Sequence, residues 1–277
     1  VIQFFKIHPN YDEWVKEIWI WKDIESKLLP LILPAYEPEL VYHLSAPPEV
    51  WVEDHLEFNL PKIHWVGPQT RKWRIQSEVP LTLISIRFYP GALYSRYAIK
   101  GIQILNQFPK VEINSELIEE KSPSKLNPLD LDSMTHDKIV QFGETILNSI
   151  STNFKEIPVY IRFAILELMR SRCSIAELSK HLHISRKQLE RKFKEIIGMN
   201  PSVFQKIHRL MEMIREPNHY KMDNPESKMT DIAYNYEYTD QSHFNRDFKD
   251  MVGSVPTNWF KEYKKMSHFY NPEGPTE

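Results

Sequence analysis

The chain has 277 residues, is 42% hydrophobic and 26% charged, and carries a net charge of −2. That composition fits a folded protein with room for two domains and excludes a disordered chain, and no apolar run reaches the ~18 residues of a membrane span. A single cysteine, Cys173, excludes an internal disulfide and a cysteine zinc cluster, and fits a reducing cytoplasm.

The charge is unevenly spread. Residues 155–277 hold 20 Lys/Arg against 17 Asp/Glu, whereas residues 1–154 hold 15 against 20. An acidic front and a mildly basic back suit different partners.

Residues 31–99 read as β-rich. "LVYHLS" at 40–45, "EVWVE" at 49–53 and "LTLISIRFYPG" at 81–91 are short runs of β-branched and aromatic residues, punctuated by Pro47-Pro48, Pro61, Gly67-Pro68, Pro80 and Pro90-Gly91. On the last run Leu83, Ser85 and Arg87 face one way and Ile84, Ile86 and Phe88 the other. Several short strands with turn signals suggest a barrel or sandwich. Residues 119–137 are polar with two prolines and read as a connector. Ile139, Phe142, Ile146, Leu147 and Ile150 then recur at helical spacing. That stripe is a candidate dimer seam, or it packs inside the monomer. Residues 159–171 read as another helix, and the rest reads helical as far as the polar tail "NPEGPTE".

The helical half repeats itself. "LERKFKEIIGMNP" at 189–201 and "FNRDFKDMVGSVP" at 244–256 share a skeleton at an offset of 55 residues. In the first copy Ser174 and Glu177 form a capping box, and Ser185 with Gln188 starts a second helix that Gly198 stops. Two short helices joined by the "HIS" turn describe a helix-turn-helix. Leu189, Phe193, Ile196 and Ile197 make one apolar face; Arg186, Lys187, Glu190, Arg191 and Lys194 lie opposite. In the second copy Thr230 caps a first helix and the next begins near Thr239 or Asp240. Phe244, Phe248, Met251 and Val252 reproduce the apolar face, while Gln241, Ser242, Asn245, Arg246 and Lys249 lie outward beside His243. Lysine and arginine suit phosphates, and Gln, Asn and Arg make bidentate contacts with base edges in a major groove, which admits one helix. "PSVFQKIHRLMEMIRE" at 201–216 is long enough to link the two units as a rigid helix. Two such readers reach neighbouring grooves ~34 Å apart.

"DIAYNYEYTDQSHFNRDFKDMVGSVPTNW" resembles the C-terminal signature of the AraC/XylS transcription regulators. Ile232, Ala233, Asp240 to Phe244, Arg246, Phe248, Lys249, Gly253 and Pro256 match it, and the likeness covers about residues 160–265. The resemblance implies a seven-helix domain with two helix-turn-helix units joined by a central helix. Two departures stand out: Glu237-Tyr238 replaces the usual Gly-Phe of the second turn, and "PNHYKMDNPESK" at 217–228 lengthens the link into the second unit.

"LPAYEPELVYHLS", "WVGPQTR" and "ISIRFYPGALYSRY" are similar to the cupin-like N-terminal domain of some members, which implies effector sensing or dimerisation. Tyr42, Trp51, Trp65, Trp73, Phe88 and Tyr94 are candidates to line an apolar pocket, or are ordinary barrel core. Arg87, with Arg96, is a candidate for an anionic ligand or is solvated. The effector-binding set is Tyr42, Trp51, Trp65, Arg87 and Phe88. His43, His55 and His64 with Glu39 or Glu57 do not follow the spacing of a cupin metal site, so no metal, catalytic residue or cofactor is expected.

The reading is an α+β chain: an N-terminal cupin-like β-barrel with helices over 1–120, a connector and candidate dimerisation helix over 121–155, an all-α DNA-binding domain with two helix-turn-helix units over 156–266, and a tail over 267–277. It describes a cytoplasmic, bacterial-type regulator of transcription that is not an enzyme. Double-stranded DNA, a small-molecule effector, a second copy and RNA polymerase are its candidate partners, and no membrane is. The alternatives are a cupin-type metal enzyme fused to a DNA-binding domain and a ligand-independent DNA binder.

Overall fold

A computed structural model of the chain describes residues 1–25, 29, 31–52, 55–113, 135–170, 173–216, 225–236 and 238–262. Strands fill the front and helices the back. The strands are β1 (Ile2–Phe5), β2 (Val15–Ile24), β3 (Leu31–Ile32), β4 (Glu39–His43), β5 (Glu49–Val52), β6 (His55–Asn59), β7 (Ile63–Val66), β8 (Trp73–Gln76) and β9 (Leu81–Phe88). They form one sheet in the order β1-β2-β9-β4-β7 and a second in the order β3-β8-β5-β6. Strands β1 and β2 precede the segment that reads as β-rich. In β2 Ile18 and Ile20 alternate with Trp19 and Trp21, so both faces are apolar and the two-residue period disappears from the sequence.

The register divides the first sheet into two faces. Ile18 pairs with Ile86, Ile20 and Tyr42 with Ile84, and Leu40 with Ile86 and Trp65. These side chains and Phe88 form the front core, under α1 (Ala92–Tyr97) and α3 (His136–Asn148), with α2 (Gly101–Ile104) at its margin. The alternate positions, Trp19, Trp21, Val41, His43, His64, Leu83, Ser85 and Arg87, face a cavity that the second sheet walls with Ile32, Trp73 and Ile75. The predicted split of Leu83, Ser85 and Arg87 from Ile84, Ile86 and Phe88 is the observed one.

Helix α3 belongs to the front domain. Its Ile139, Phe142, Ile146 and Leu147 are buried in the front core, and Gly143 lies so close to Ile18 that an added Cβ would stand 2.5 Å from Cδ1. Of the two uses open to this stripe, a dimer seam or packing inside the monomer, its buried residues serve the second.

The back half has seven helices among the described residues: α4 (Val159–Arg170), α5 (Ile175–His181), α6 (Arg186–Ile197), α7 (Pro201–Arg215), α8 (Pro225–Asn235), α9 (Gln241–Val252) and α10 (Pro256–Glu262). They enclose two cores. Leu168, Leu178, Leu189, Phe193 and Ile196 build the first; Ile232, Phe244, Phe248, Trp259 and Phe260 build the second. Helix α7 serves both, giving Phe204 and Ile207 to one and Leu210, Met213 and Ile214 to the other.

The front domain meets both lobes. A Cβ on Gly101 would lie 2.4 Å from the backbone nitrogen of Gly198, which closes α6 at φ +99°. Tyr36 packs into the first helical core and Leu33 into the second. No described helix is long and apolar enough to cross a membrane.

Candidate nucleic-acid interface and the cavity behind it

Local signals set the first reading helix. Ser174 accepts from the Glu177 amide at 3.2 Å, and the Glu177 carboxylate accepts from the Ser174 amide at 2.9 Å, closing the capping box ahead of α5. Ser185 accepts from the Gln188 amide at 3.2 Å and starts α6. Leu189 and Phe193 are wholly buried beneath it. On the other face Arg186, Lys187, Arg191 and Lys194 are exposed. Arg186 donates through Nε to Glu190 at 2.7 Å, one helical turn on. That pair is internally neutral. Lys187, Arg191 and Lys194 make no ion pair among the described residues and stay exposed.

The second reading helix follows the same plan with other chemistry. Asp240 caps α9 by accepting from the His243 amide at 2.7 Å, and Gly253 ends it at φ +91°. Ser242, Arg246 and Lys249 are exposed; Gln241, His243 and Asn245 are half-buried. His243 is committed to the turn: Nδ1 pairs with Thr239 Oγ1 at 3.2 Å and the ring lies edge-on to Tyr238 at 5.3 Å. Gln241 Oε1 accepts from Thr230 Oγ1 at 3.2 Å, which orients the amide. Thr230 is not the cap expected of it, because α8 already begins at Pro225 and Thr230 lies inside the helix. Lys206 of α7 donates to Asp247 of α9 at 3.1 Å, tying the central helix to the second reader. Glu237 and residues 217–224 of the lengthened link at 217–228 lie outside the described residues, and the link's last four residues begin α8.

Behind these helices the front domain holds a cavity of about 160 Å³. Two sheets give most of its wall, and Leu210, Met211, Ile214 and Arg215 of α7 complete it. Beside it Glu37, nearly inaccessible, accepts from Lys16 at 2.6 Å and from Arg215 at 2.9 Å. Burial alone would raise its carboxyl, but Arg215 first and Lys16 next hold it at about 2. Burial pulls Lys16 below the usual lysine range against the attraction of Glu37. The guanidinium of Arg215 is therefore the surer counter-ion. Arg87 donates to Glu39 at 2.9 Å and to Glu17 at 2.7 Å. Burial opposes its charge, and Glu39, Glu37 and Glu17 more than offset that. It is a paired arginine, neither solvated nor open to an anion.

One residue further, the Tyr36 hydroxyl lies 2.9 Å from His208 Nδ1, and His208 Nε2 lies 2.9 Å from the Met169 carbonyl. A carbonyl only accepts, so the neutral ring carries its proton on Nε2 and accepts from Tyr36. The Tyr36 ring also packs on Phe204 at 4.4 Å.

Residues 178–262 match a family model described as a helix-turn-helix domain. This region is an AraC-type helix-turn-helix domain. The chain carrying it is a DNA-binding transcription regulator. Among solved structures the chain is similar to ToxT from Vibrio cholerae, at 12% identity over 88% of this chain and 96% of that one, with a TM-score of 0.46. It is similar to the same protein bound to (E)-4-(8-methylnaphthalen-1-yl)but-3-enoic acid, at 11% identity over 94% and 98%, with a TM-score of 0.47. It is also similar to the C-terminal domain of AraT, a response regulator from Geobacillus stearothermophilus, at 19% identity over 39% and 88%, with a TM-score of 0.33. No curated protein sequence matches the chain.

Around the AraC-type domain the expected residues fare unequally. Of the expected effector-binding set only Arg87 lines the cavity. Tyr42, Trp65 and Phe88 alternate onto the other face of the sheet and belong to the front core. Trp51 on β5 donates to Glu49 at 3.0 Å and does not line the cavity. Trp73 does line it, and Tyr94 packs against the helical domain instead. Arg96 lies over the Trp14 ring at 4.5 Å, on the core side. His43 and His64 face the cavity as a stacked pair, while His55 is exposed. No group of three or more metal-ligating side chains gathers among the described residues. Sequence reading missed Tyr36 and Glu37. The only signal was a polar "YE" inside the proline-bounded "LPAYEP", which gives no hint of a partner 178 positions away.

Proposed function

We propose that the two reading helices enter neighbouring major grooves on one face of double-stranded DNA. We propose further that the cavity takes a small-molecule effector whose presence reaches the DNA through α7. The observation that supports this most is the triple duty of α7. It is the spine of both helical cores, it walls the cavity, and it is held by Tyr36 and Glu37 of the front domain. A ligand that presses on Leu210, Met211 or Ile214 acts on the element that spaces the readers, and needs a differential affinity for only one arrangement of it.

The readers differ in chemistry, so each chain is expected to bind an asymmetric site. Lys187, Arg191 and Lys194 give the first unit its charge; Gln241, Asn245 and Arg246 give the second its capacity for base-edge hydrogen bonds. No catalytic step is proposed; the protein acts on DNA in the cytoplasm, with a second copy and RNA polymerase as its protein partners. The apolar stripe of α3 packs inside the front domain, so a second copy does not dock on that stripe.

Selection of bound sites from random DNA, repeated with cell extract, tests the proposal. The expected product is two dissimilar sub-sites about one helical turn apart, with extract changing their yield. A palindrome of identical sub-sites within one monomer's footprint rules out the two-reader arrangement.

A further inference from the structure

The effector cavity leaves open one kind of polar group. Trp19 and Trp73 line it at 7% exposure each, and neither indole N–H has a hydrogen-bond partner among the described residues. His43, at 1% exposure, lines it with no partner for either ring nitrogen among the described residues. Leaving a buried polar group without a partner is costly, so three such residues around one cavity, Trp19 and His43 on the first sheet and Trp73 on the second, mark groups kept for something that enters.

The charged groups beside them are already satisfied. Arg87 is held by Glu17 and Glu39, and Glu37 is held by Lys16 and Arg215, so three cations face three carboxylates. Glu39 also accepts from the Ser85 hydroxyl at 2.6 Å. Among the described residues lining the cavity, an entering carboxylate finds no open cation, and an entering ammonium finds no open carboxylate. Burial keeps the two stacked imidazoles neutral at physiological pH.

Shape narrows the class further. The Trp19 ring is stacked on Phe4 at 5.7 Å and 13°, and His43 lies on His64 at 5.2 Å and 18°, so the wall offers flat ring surfaces. Indole N–H groups donate only, which asks the ligand for acceptor atoms.

We propose that the cavity binds an uncharged, planar, largely apolar molecule, an aromatic ring system bearing an oxygen acceptor that takes the Trp19 and Trp73 N–H groups and pairs with His43. The proposal rests on the reading of the cavity as the effector site. Leu210, Met211 and Ile214 then form the apolar wall on the far side, so the ligand touches the DNA-binding domain directly.

The test titrates the full-length chain with acetophenone and 2-acetylnaphthalene against their size-matched anions, benzoate and 2-naphthoate, following tryptophan fluorescence and heat. The ketones are expected to saturate and to bind at least about tenfold more tightly than the carboxylates. Trp73→Phe and His43→Phe keep a ring but lose the polar groups, and each should weaken ketone binding about five- to tenfold. Thermal melts confirm that each variant is folded, and Trp51→Phe, away from the cavity, should change nothing. Carboxylates binding as well as the ketones, or neither class saturating at millimolar concentration, overturns the proposed ligand class. Saturable ketone binding that leaves operator affinity unchanged in a gel shift supports the ligand class and removes the effector role.

Discussion

Glu37 accepts a hydrogen bond from Arg215 at 2.9 Å across the junction between the front domain and the central helix of the DNA-binding domain. Lys16 holds the same carboxylate from the front side, so one buried anion carries a cation from each domain. Removing one member of a buried ionic set typically costs ~3–5 kcal/mol, because the remaining charges are left uncompensated. Glu37→Gln is therefore expected to lower the unfolding free energy, read from the urea midpoint and slope, by an amount in that range and to raise protease sensitivity around α7. A midpoint unchanged within error removes the bridge from the account of domain coupling.

The same carboxyl gives an acid signature. Its folded value of about 2 lies below the ordinary 4.5, so its stabilisation is complete above pH 4.5 and disappears as pH falls through 2. The size is about 3 kcal/mol. Stability measured from pH 5 down to pH 2 should lose this limb in the Glu37→Gln protein.

A second acid limb starts higher. His43 and His64 are held at about 3 and about 4, both below the ordinary 6.5, by burial first and, for His43, by the neighbouring imidazole next. Their contribution is intact above pH 6.5 and declines as pH falls towards 4, because unfolding lets both rings take up protons. His43→Phe should flatten that part of the curve, and a curve parallel to that of the parent protein would count against the assignment.

On the DNA side the ion pairs rank the cations. Arg191→Ala and Arg246→Ala are each expected to weaken operator binding by ~1–3 kcal/mol if they read bases, and Lys187→Ala should reduce the salt slope by about 1. Arg186 is engaged by Glu190, so Arg186→Ala should cost less than Arg191→Ala, and Glu190→Gln should strengthen binding by freeing a guanidinium. Gel shifts across a salt series on these five variants decide the ranking. Equal affinity in the Arg191 and Arg246 variants and the parent rejects the interface as drawn.

The Gly101–Gly198 approach should tolerate no side chain. A Cβ on Gly101 meets backbone of Ile196, Ile197 and Gly198 at 2.4–2.6 Å, and one on Gly198 meets the Gly101 carbonyl at 2.8 Å in a left-handed conformation. Neither contact is with a flexible side chain that could swing away. Alanine at either position is expected to cost ~2 kcal/mol or more, read as a lower melting temperature.

The helical half was largely legible in the sequence because its signals are local. Ser174 with Glu177, Ser185 with Gln188 and Asp240 ahead of Phe244 announce helix starts within four residues, and Gly198 and Gly253 announce the stops. The front half was legible strand by strand only where one face is polar, as in the alternation through Arg87. Strand β2 hides its period by burying tryptophans on one face and isoleucines on the other. The cavity residues were mostly misread, since Tyr42 and Phe88 are as aromatic as Trp19 and Trp73, and only strand register tells which side of the sheet each occupies. The Tyr36–His208 and Glu37–Arg215 contacts join residues 172 and 178 positions apart, a distance over which no spacing rule operates.

Helix α7 also limits how freely this protein can be rearranged. A DNA-binding cassette is transplantable when its recipient-facing side is polar and indifferent. Here that side carries Phe204, Leu210 and Ile214, together with a guanidinium whose buried counter-ion lies on the other domain. A graft of residues 156–262 onto a foreign sensor would bring a greasy, half-neutralised flank that its new host has no residue to meet. A working chimera would have to carry the 31–37 strap along with the helices it grips.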